Sequence, residues 1–227
     1  MRVLLLGHGR MGKLVESLAP EYDATIAGVI DEHSGSDAIA KCSAADVAID
    51  FTLADAVVKN LPQLAGRKIN VVIGTTGWQA QEASMRAIAE KAGIGVLAAS
   101  NFSLGMNIFQ LAVEEASRNF ATHPEFGAWI HESHHAMKKD APSGTAVTIK
   151  TGMQQAGFSR PIDVSSTRVG HVPGTHTVGF DGPSEMIEFT HTVRDRAVFA
   201  RGALVAAKWL VGKRGWFSIR DLLAGTR

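Results

Sequence analysis

The sequence predicts an α/β protein, a doubly wound parallel sheet joined to a second α+β domain whose sheet is mixed or antiparallel. Three observations carry that prediction. The apolar run Val3–Leu6 leads directly into Gly7-His8-Gly9-Arg10-Met11-Gly12 and then into helical spacing through Leu14, Val15 and Leu18. From there to about residue 100, short apolar runs alternate with helical stretches, as parallel strands joined by crossover helices require. Beyond that point the pattern changes to period-two alternation, the mark of half-buried strands.

Taken in order, the first strand and glycine turn form a Rossmann-type start. Gly7 permits the tight turn, Gly9 lets the backbone approach a pyrophosphate, and Gly12 lets helix pack on strand. The next apolar run, Ala24–Ile30, ends at Asp31, where a carboxylate would accept hydrogen bonds from adenosine ribose hydroxyls. Strands follow at Val47–Thr52, Ile69–Ile73 and Gly95–Ala99, with helices over Ala54–Leu64 and Gln79–Lys91 between them. Ligands bind beyond the carboxyl ends of such strands. Gly74-Thr75-Thr76-Gly77 and Ser100-Asn101-Phe102-Ser103 fall at that edge and suit the nicotinamide half of a dinucleotide. A helix over Leu104–Asn119 precedes the period-two runs Phe126–Glu132, Ile162–Val169, Thr175–Gly179 and Met186–Val193. This places a dinucleotide-binding domain at 1–103 and a second, substrate-binding domain at 104–199. The segment 200–227, within a helical pattern that starts at Ala197, returns to the first domain.

Composition narrows the function. The chain has 227 residues, 45% of them hydrophobic, enough for a substantial core. Lys plus Arg number 23 against 22 for Asp plus Glu, so no global field favours nucleic acid or a membrane surface. Small-molecule chemistry is the expectation. Cys42 is the single cysteine, which excludes an internal disulfide framework and suits a reducing compartment. The opening apolar run is too short for a signal peptide and reads as a strand of a cytoplasmic protein. No segment reaches the roughly 20 apolar residues that span a bilayer.

Chemistry concentrates in His134-His135-Ala136-Met137-Lys138-Lys139-Asp140-Ala141-Pro142-Ser143-Gly144-Thr145. Two imidazoles and a lysine are candidate proton carriers. Pro142 suits a first helical turn, Asp140 a cap, and the backbone N–H groups around Ser143, Gly144 and Thr145 an anionic substrate such as a carboxylate. His131-Glu132-Ser133-His134-His135 also matches HExxH, whose metal chemistry requires both histidines on one face of a helix. The preceding Phe126–Ile130 reads as strand, which separates His131 from His135, so no metal is expected. Lys139 and the isolated histidines His33, His123, His171, His176 and His191 read as surface or structural residues.

The chain resembles the 4-hydroxy-tetrahydrodipicolinate reductase (dihydrodipicolinate reductase) family of lysine and diaminopimelate biosynthesis. The resemblance runs from Gly-Arg-Met-Gly at 9–12 through Asp50-Phe51-Thr52, Gly74–Gly77, Asn101–Ser103 and Glu132–His135. It continues through Lys138–Ala146, Arg168–Gly170, Gly174–His176, Ile187–His191 and Phe199–Ala203. It implies reduction of a cyclic imine dicarboxylate with NADH or NADPH. His134 and Lys138 would be the catalytic proton donors, and His135, Lys138, Ser143, Gly144 and Thr145 would bind substrate. Cofactor contacts would come from Gly7, His8, Gly9, Arg10, Met11, Gly12, Asp31, Gly74, Thr75, Thr76, Ala99, Ser100, Asn101 and Phe102. The resemblance also implies a homotetramer built through the second domain's sheet, with neither nucleic acid nor membrane as partner. A dinucleotide-binding sensor or partner module without turnover is the alternative from another class.

Two departures from the family pattern bear on the nucleotide. Many relatives have one more residue in the glycine turn, and their connection between Asp31 and Asp46 is usually longer. Asp31 favours a free 2′-hydroxyl, and no Arg or Lys follows it before Lys41 to meet a 2′-phosphate. NADH is therefore expected to serve at least as well as NADPH.

Overall fold

The structure, a computed structural model, describes residues 1–225. The expected C-terminal return over 200–227 includes residues 226 and 227, which lie outside the described residues. The chain divides into two compact units, one formed by Met1–Ser103 with the segment from Ala197 onward, the other by Leu104–Arg196.

In the first unit, β1 (Arg2–Leu6), β2 (Thr25–Ile30), β3 (Val47–Asp50), β4 (Asn70–Ile73) and β5 (Gly95–Ala98) join a short β10 (Gly215–Phe217). The sheet order is β10-β5-β4-β3-β1-β2, and every pairing is parallel. Helices α1 (Arg10–Leu18), α2 (Ala38–Lys41), α3 (Ala54–Gly66), α4 (Glu82–Ala92), α7 (Ala197–Leu210) and α8 (Ile219–Ala224) complete the unit. Central strands read as unbroken apolar runs because both faces are covered. Leu4, Leu6, Ala48, Ile73 and Val96 are all buried in one cluster. Truncating one of these leucines to alanine would cost about 2–5 kcal/mol.

The chain leaves β1 first to one side for β2 and then to the other for β3, so the order reverses between β1 and β3. A ligand crevice opens at such a point. The short Asp31–Asp46 connection holds only the four-residue α2. Helix α7 starts slightly ahead of residue 200 and lays small residues, among them Ala200, Gly202, Ala203 and Ala207, into the core. A Cβ at Gly202 would collide with the Phe102 carbonyl oxygen, so glycine permits that close approach. Neither β10 nor α8 was expected from the sequence.

In the second unit, β6 (Gly127–His134), β7 (Ile162–Arg168), β8 (Thr175–Asp181) and β9 (Met186–Thr192) form a sheet of order β7-β6-β8-β9. Strand β6 runs parallel to β7 and antiparallel to β8, so the sheet is mixed. Helices α5 (Leu104–Phe120) and α6 (Gly144–Gln155) cover it. The core gathers Met106, Phe109, Val113, Ile130, Met153, Phe158, Val178 and Phe180. Strand alternation then has a consequence for chemistry. The covered face of β6 reads Ala128, Ile130, Glu132, His134, and that of β8 reads Phe180, Val178, His176. At one end of the sheet the apolar core therefore passes into buried polar groups without changing face.

Candidate active site

The first unit holds a glycine loop whose geometry is set mainly by backbone. Gly7 has φ +89°, and a Cβ there would lie 2.6 Å from the Phe51 carbonyl oxygen. Its N–H donates to the Ile30 carbonyl at 2.7 Å, fixing the turn between β1 and α1. Around Gly9 a Cβ would meet nothing within 4 Å, so the loop is open where a phosphate would approach. Gly12 is tight by contrast: a Cβ there would collide with the Gly7 carbonyl oxygen. Gly9 caps α1 without a side-chain hydrogen bond, which leaves the first-turn N–H groups available to an anion.

A cavity of about 600 Å³ at this edge is lined by Gly7, His8, Gly9, Lys13, Asp31 and His33, among others. The Asp31 carboxylate accepts from the His33 N–H and the Ser34 hydroxyl, at 3.0 and 3.1 Å, and these bonds hold it below the usual carboxylate range. His8 Nε2 pairs with Glu16 at 2.7 Å, and both Arg10 and Thr76 are exposed. Thr75 turns inward, its hydroxyl donating to the Thr52 carbonyl at 3.2 Å. Burial pushes the Asp50 carboxyl up, yet it is fully occupied by the Thr52 N–H and hydroxyl, Asn60 and Thr75. A second cavity, about 510 Å³, includes Thr75, Ala99 and Ser100 in its lining. Asn101 bends the chain through its Oδ1, which accepts from the Ser103 N–H at 2.8 Å, and Phe102 is buried. An open Gly9, an uncapped helix start and a carboxylate at the end of β2 fit an adenine dinucleotide. Lys13 was not read from sequence as part of this lining.

The second unit gathers the reactive side chains. Glu132 is fully buried on β6. Arg168 of β7 grips both its oxygens, at 2.7 and 2.9 Å, and the Ser143 N–H donates to it at 3.1 Å. Its Oε2 is also hydrogen-bonded to His134 Nδ1. Burial opposes ionisation of Glu132, but the bonds from Arg168, Ser166, His134 and the Ser143 N–H outweigh it and hold the carboxyl at about 2. Breaking one side of such a buried pair costs about 3–5 kcal/mol.

His134 is 9% exposed. Burial lowers its basicity, against the pull of Glu132, and the charges of Lys138 and Arg168 lower it further. Its Nε2 lies beside Gly174, whose φ is +152°; a Cβ there would stand 3.0 Å from that nitrogen. His176, directly across from Glu132 in the sheet, packs edge-on against His134 with centroids 5.1 Å apart. His135 is half-buried, and the Lys138 ammonium donates to Asp140 at 2.8 Å.

The turn into α6 departs from the sequence reading. Pro142 and Asp140 precede the helix rather than opening and capping it; Ser143 is the N-cap, and its hydroxyl accepts from the Ala146 N–H at 3.1 Å. Serine wins because its oxygen reaches the third helical N–H. Ser143 is therefore engaged by Glu132, Ala146 and, at 3.1 Å, His176 Nε2. Gly144 is exposed with open space around it, and Thr145 is half-buried. Sequence reasoning missed Glu132, Arg168 and His176 as parts of this cluster. His131 lies on the same strand but on its other face, bonded to Ser165 at 2.8 Å, so the HExxH string has strand geometry.

The family model described as "Dihydrodipicolinate reductase, N-terminus" matches residues 1–102, and "Dihydrodipicolinate reductase, C-terminus" matches residues 105–223. A curated 4-hydroxy-tetrahydrodipicolinate reductase of Xanthomonas axonopodis pv. citri is 40% identical, covering 98% of each chain. Its counterpart in Christiangramia forsetii is 35% identical over 99% of this chain and 98% of that one. Among solved structures, a dipicolinate-bound dihydrodipicolinate reductase from Paenisporosarcina sp. TG-14 superposes with a TM-score of 0.84 at 20% identity, covering 96% of this chain and 97% of that one. With both halves matched and relatives aligned nearly end to end, the chain belongs to the dihydrodipicolinate reductase family.

Proposed function

We propose that this protein reduces 4-hydroxy-tetrahydrodipicolinate to tetrahydrodipicolinate with NADH or NADPH, in lysine and diaminopimelate biosynthesis. Loss of water gives the conjugated cyclic imine; addition of one hydride and one proton then gives the product, with the nucleotide leaving oxidised. The observation that carries this reading is 35–40% identity to curated reductases across essentially the whole chain.

The chain's own residues divide the work between its units. Gly7, His8, Gly9, Arg10, Met11 and Gly12 cradle the pyrophosphate, and Asp31 holds the ribose. Gly74, Thr75, Thr76, Ala99, Ser100, Asn101 and Phe102 position the nicotinamide half, which when bound supplies the hydride. In the second unit, His135, Lys138 and the Gly144 and Thr145 N–H groups hold the two carboxylates. Ser143 contributes by capping α6 and closing on Glu132. His134 and Lys138 offer the proton that the reduced, electron-rich ring takes up.

Residues 1–103 with 200–227 act as the dinucleotide-binding domain, and residues 104–199 as the substrate-binding and oligomerisation domain. The protein works in the cytoplasm as a homotetramer assembled through the second sheet. Exposed Met186 and Ile187 on β9 support that assembly.

The test couples purified protein to a dihydrodipicolinate-generating synthase and follows nucleotide absorbance at 340 nm. Substrate-dependent loss, unaffected by chelator, is expected; no loss refutes the assignment. Repeating the assay with both nucleotides tests the reading of Asp31. A kcat/KM for NADPH more than about tenfold above that for NADH, roughly 1.4 kcal/mol, overturns the expected use of NADH.

A further inference from the structure

We propose that Glu132 is the positioning residue of the proton-transfer step, fixing the His134 ring through Nδ1 so that Nε2 is the nitrogen that exchanges a proton with substrate. This deepens the functional reading and rests on the proton-transfer role of His134 in it.

The Glu132 carboxylate faces Arg168, the Ser143 N–H, His134 and Ser166. Its Oε1 receives the Arg168 Nη2 and the Ser143 N–H; its Oε2 receives Arg168 Nη1 and His134 Nδ1. Arg168 and the backbone N–H can only donate. An ionised carboxylate, which only accepts, therefore satisfies the cluster when Nδ1 of His134 carries a hydrogen. The neutral imidazole then presents an unprotonated Nε2, and the imidazolium presents its transferable proton there. This is the arrangement in which a proton carrier is oriented by a third group.

The surroundings of Nε2 agree: Gly174, at φ +152°, is the residue beside it, and a Cβ there would stand 3.0 Å from that nitrogen. Arg168 has a further part, since it keeps Glu132 ionised and so keeps the proton on the imidazole. The charged and titratable groups acting on His134 are Glu132 on its own strand, Arg168 on β7, His176 on β8 and Lys138 in the turn before α6. His191 of β9 stands across from His176, one strand further out.

Glu132→Gln tests the role with little change of shape. The amide oxygen belongs at the Oε1 position, where two obligate donors converge against one at Oε2, so the amide NH2 faces His134 and Arg168 Nη1. Nδ1 must then accept, the neutral ring carries its hydrogen on Nε2, and the anion that stabilises the imidazolium is gone. We expect kcat near pH 7.5 to fall about a hundredfold, with the KM for NADH unchanged and the limb of the pH–rate profile that reports His134 displaced to lower pH. Glu132→Asp, which retains the anion, should restore the position of that limb. A Glu132→Gln enzyme with kcat within about threefold of wild type and an undisplaced profile overturns the proposal. Should that variant fail to fold, the ring ¹⁵N resonances of wild-type His134 decide: a neutral ring protonated at Nδ1 supports the role, and one protonated at Nε2 refutes it. Absence of turnover in the wild-type protein overturns the functional reading, and this role with it. Turnover in wild type without displacement in the variant overturns the role alone.

Discussion

At the glycine loop of the first unit, geometry is set by backbone: the Gly7 N–H on the Ile30 carbonyl, Gly12 against the Gly7 carbonyl, and an uncapped start to α1. At the end of the second unit's sheet it is set by side chains, with Glu132 held by Arg168, His134 and the start of α6. In the proposed function the first arrangement would bind a ligand whose chemistry is its own, for which shape and free N–H groups suffice. The second would move a proton, which needs groups whose charge and tautomer are controlled. A backbone site is broken by adding atoms; a side-chain network is broken by removing them.

The largest expected effect sharpens that contrast in the second unit. Lys138→Ala removes an ammonium whose charge acts on both His134 and His176. Its kcat should fall by about 10²–10⁴-fold, while the KM for NADH, assigned in the proposed function to the first unit, should change little. Steady-state kinetics at saturating nucleotide checks this, and near-normal kcat would remove Lys138 from the mechanism. The converse experiment is Gly12→Ala. The new methyl meets the Gly7 carbonyl oxygen, which belongs to the loop itself and cannot step aside without moving the cradle. Overpacking of that kind costs about 1–3 kcal/mol, so the KM for NADH should rise by up to about a hundredfold, with the pH dependence of kcat preserved. A variant with wild-type nucleotide affinity would show that the loop does not set binding.

The same contrast explains what could be read from the chain. Backbone sites leave local marks: Gly7, Gly9 and Gly12 sit at fixed spacing between an apolar run and a helical pattern, and Asp31 ends the next run. The parallel order of the first sheet follows from strand–helix alternation. The Glu132 cluster was only half visible. Its parity with Ala128, Ile130 and His134 places it on the covered face of β6, a signal present in the sequence but masked by the HExxH match. Arg168 is 36 residues away from Glu132 and His176 lies on a third strand, so neither partner follows from spacing. Pairing register, fixed by packing of whole strands, brings them together. The start of α6 was misread because Asp140, Pro142 and Ser143 all carry helix-start signals, and only Ser143 places an oxygen on the third helical N–H. Strand β10 is three residues long, below the length at which alternation is distinguishable from an ordinary loop.

Acid stability offers the gentlest probe, because it needs no substitution in the glycine loop. Burial, and after it the charge of His134, pushes His176 down from 6.5 to about 4. Above pH 6.5 the residue is neutral whether the chain is folded or not, and it contributes no pH dependence. As pH falls from 6.5 towards 4, the unfolded chain takes up a proton that the folded one refuses, so stability is lost across that window. At pH 5 the loss is about 2 kcal/mol, of the order set by 1.36 kcal/mol per pKa unit. His134 and His191, also held low by burial, add losses of the same sign. Glu132 acts later, its stabilisation fading as pH falls from 4.5 to about 2. His176→Gln keeps a hydrogen-bonding partner for the Ser143 hydroxyl but cannot titrate, so its melting temperature should fall less steeply than that of wild type between pH 6.5 and 5. Calorimetric melts of the two proteins across that range measure the difference. Parallel curves would mean that His176 is solvated in the folded protein, and that the buried polar end of the second sheet is open to water where the first unit's core is not.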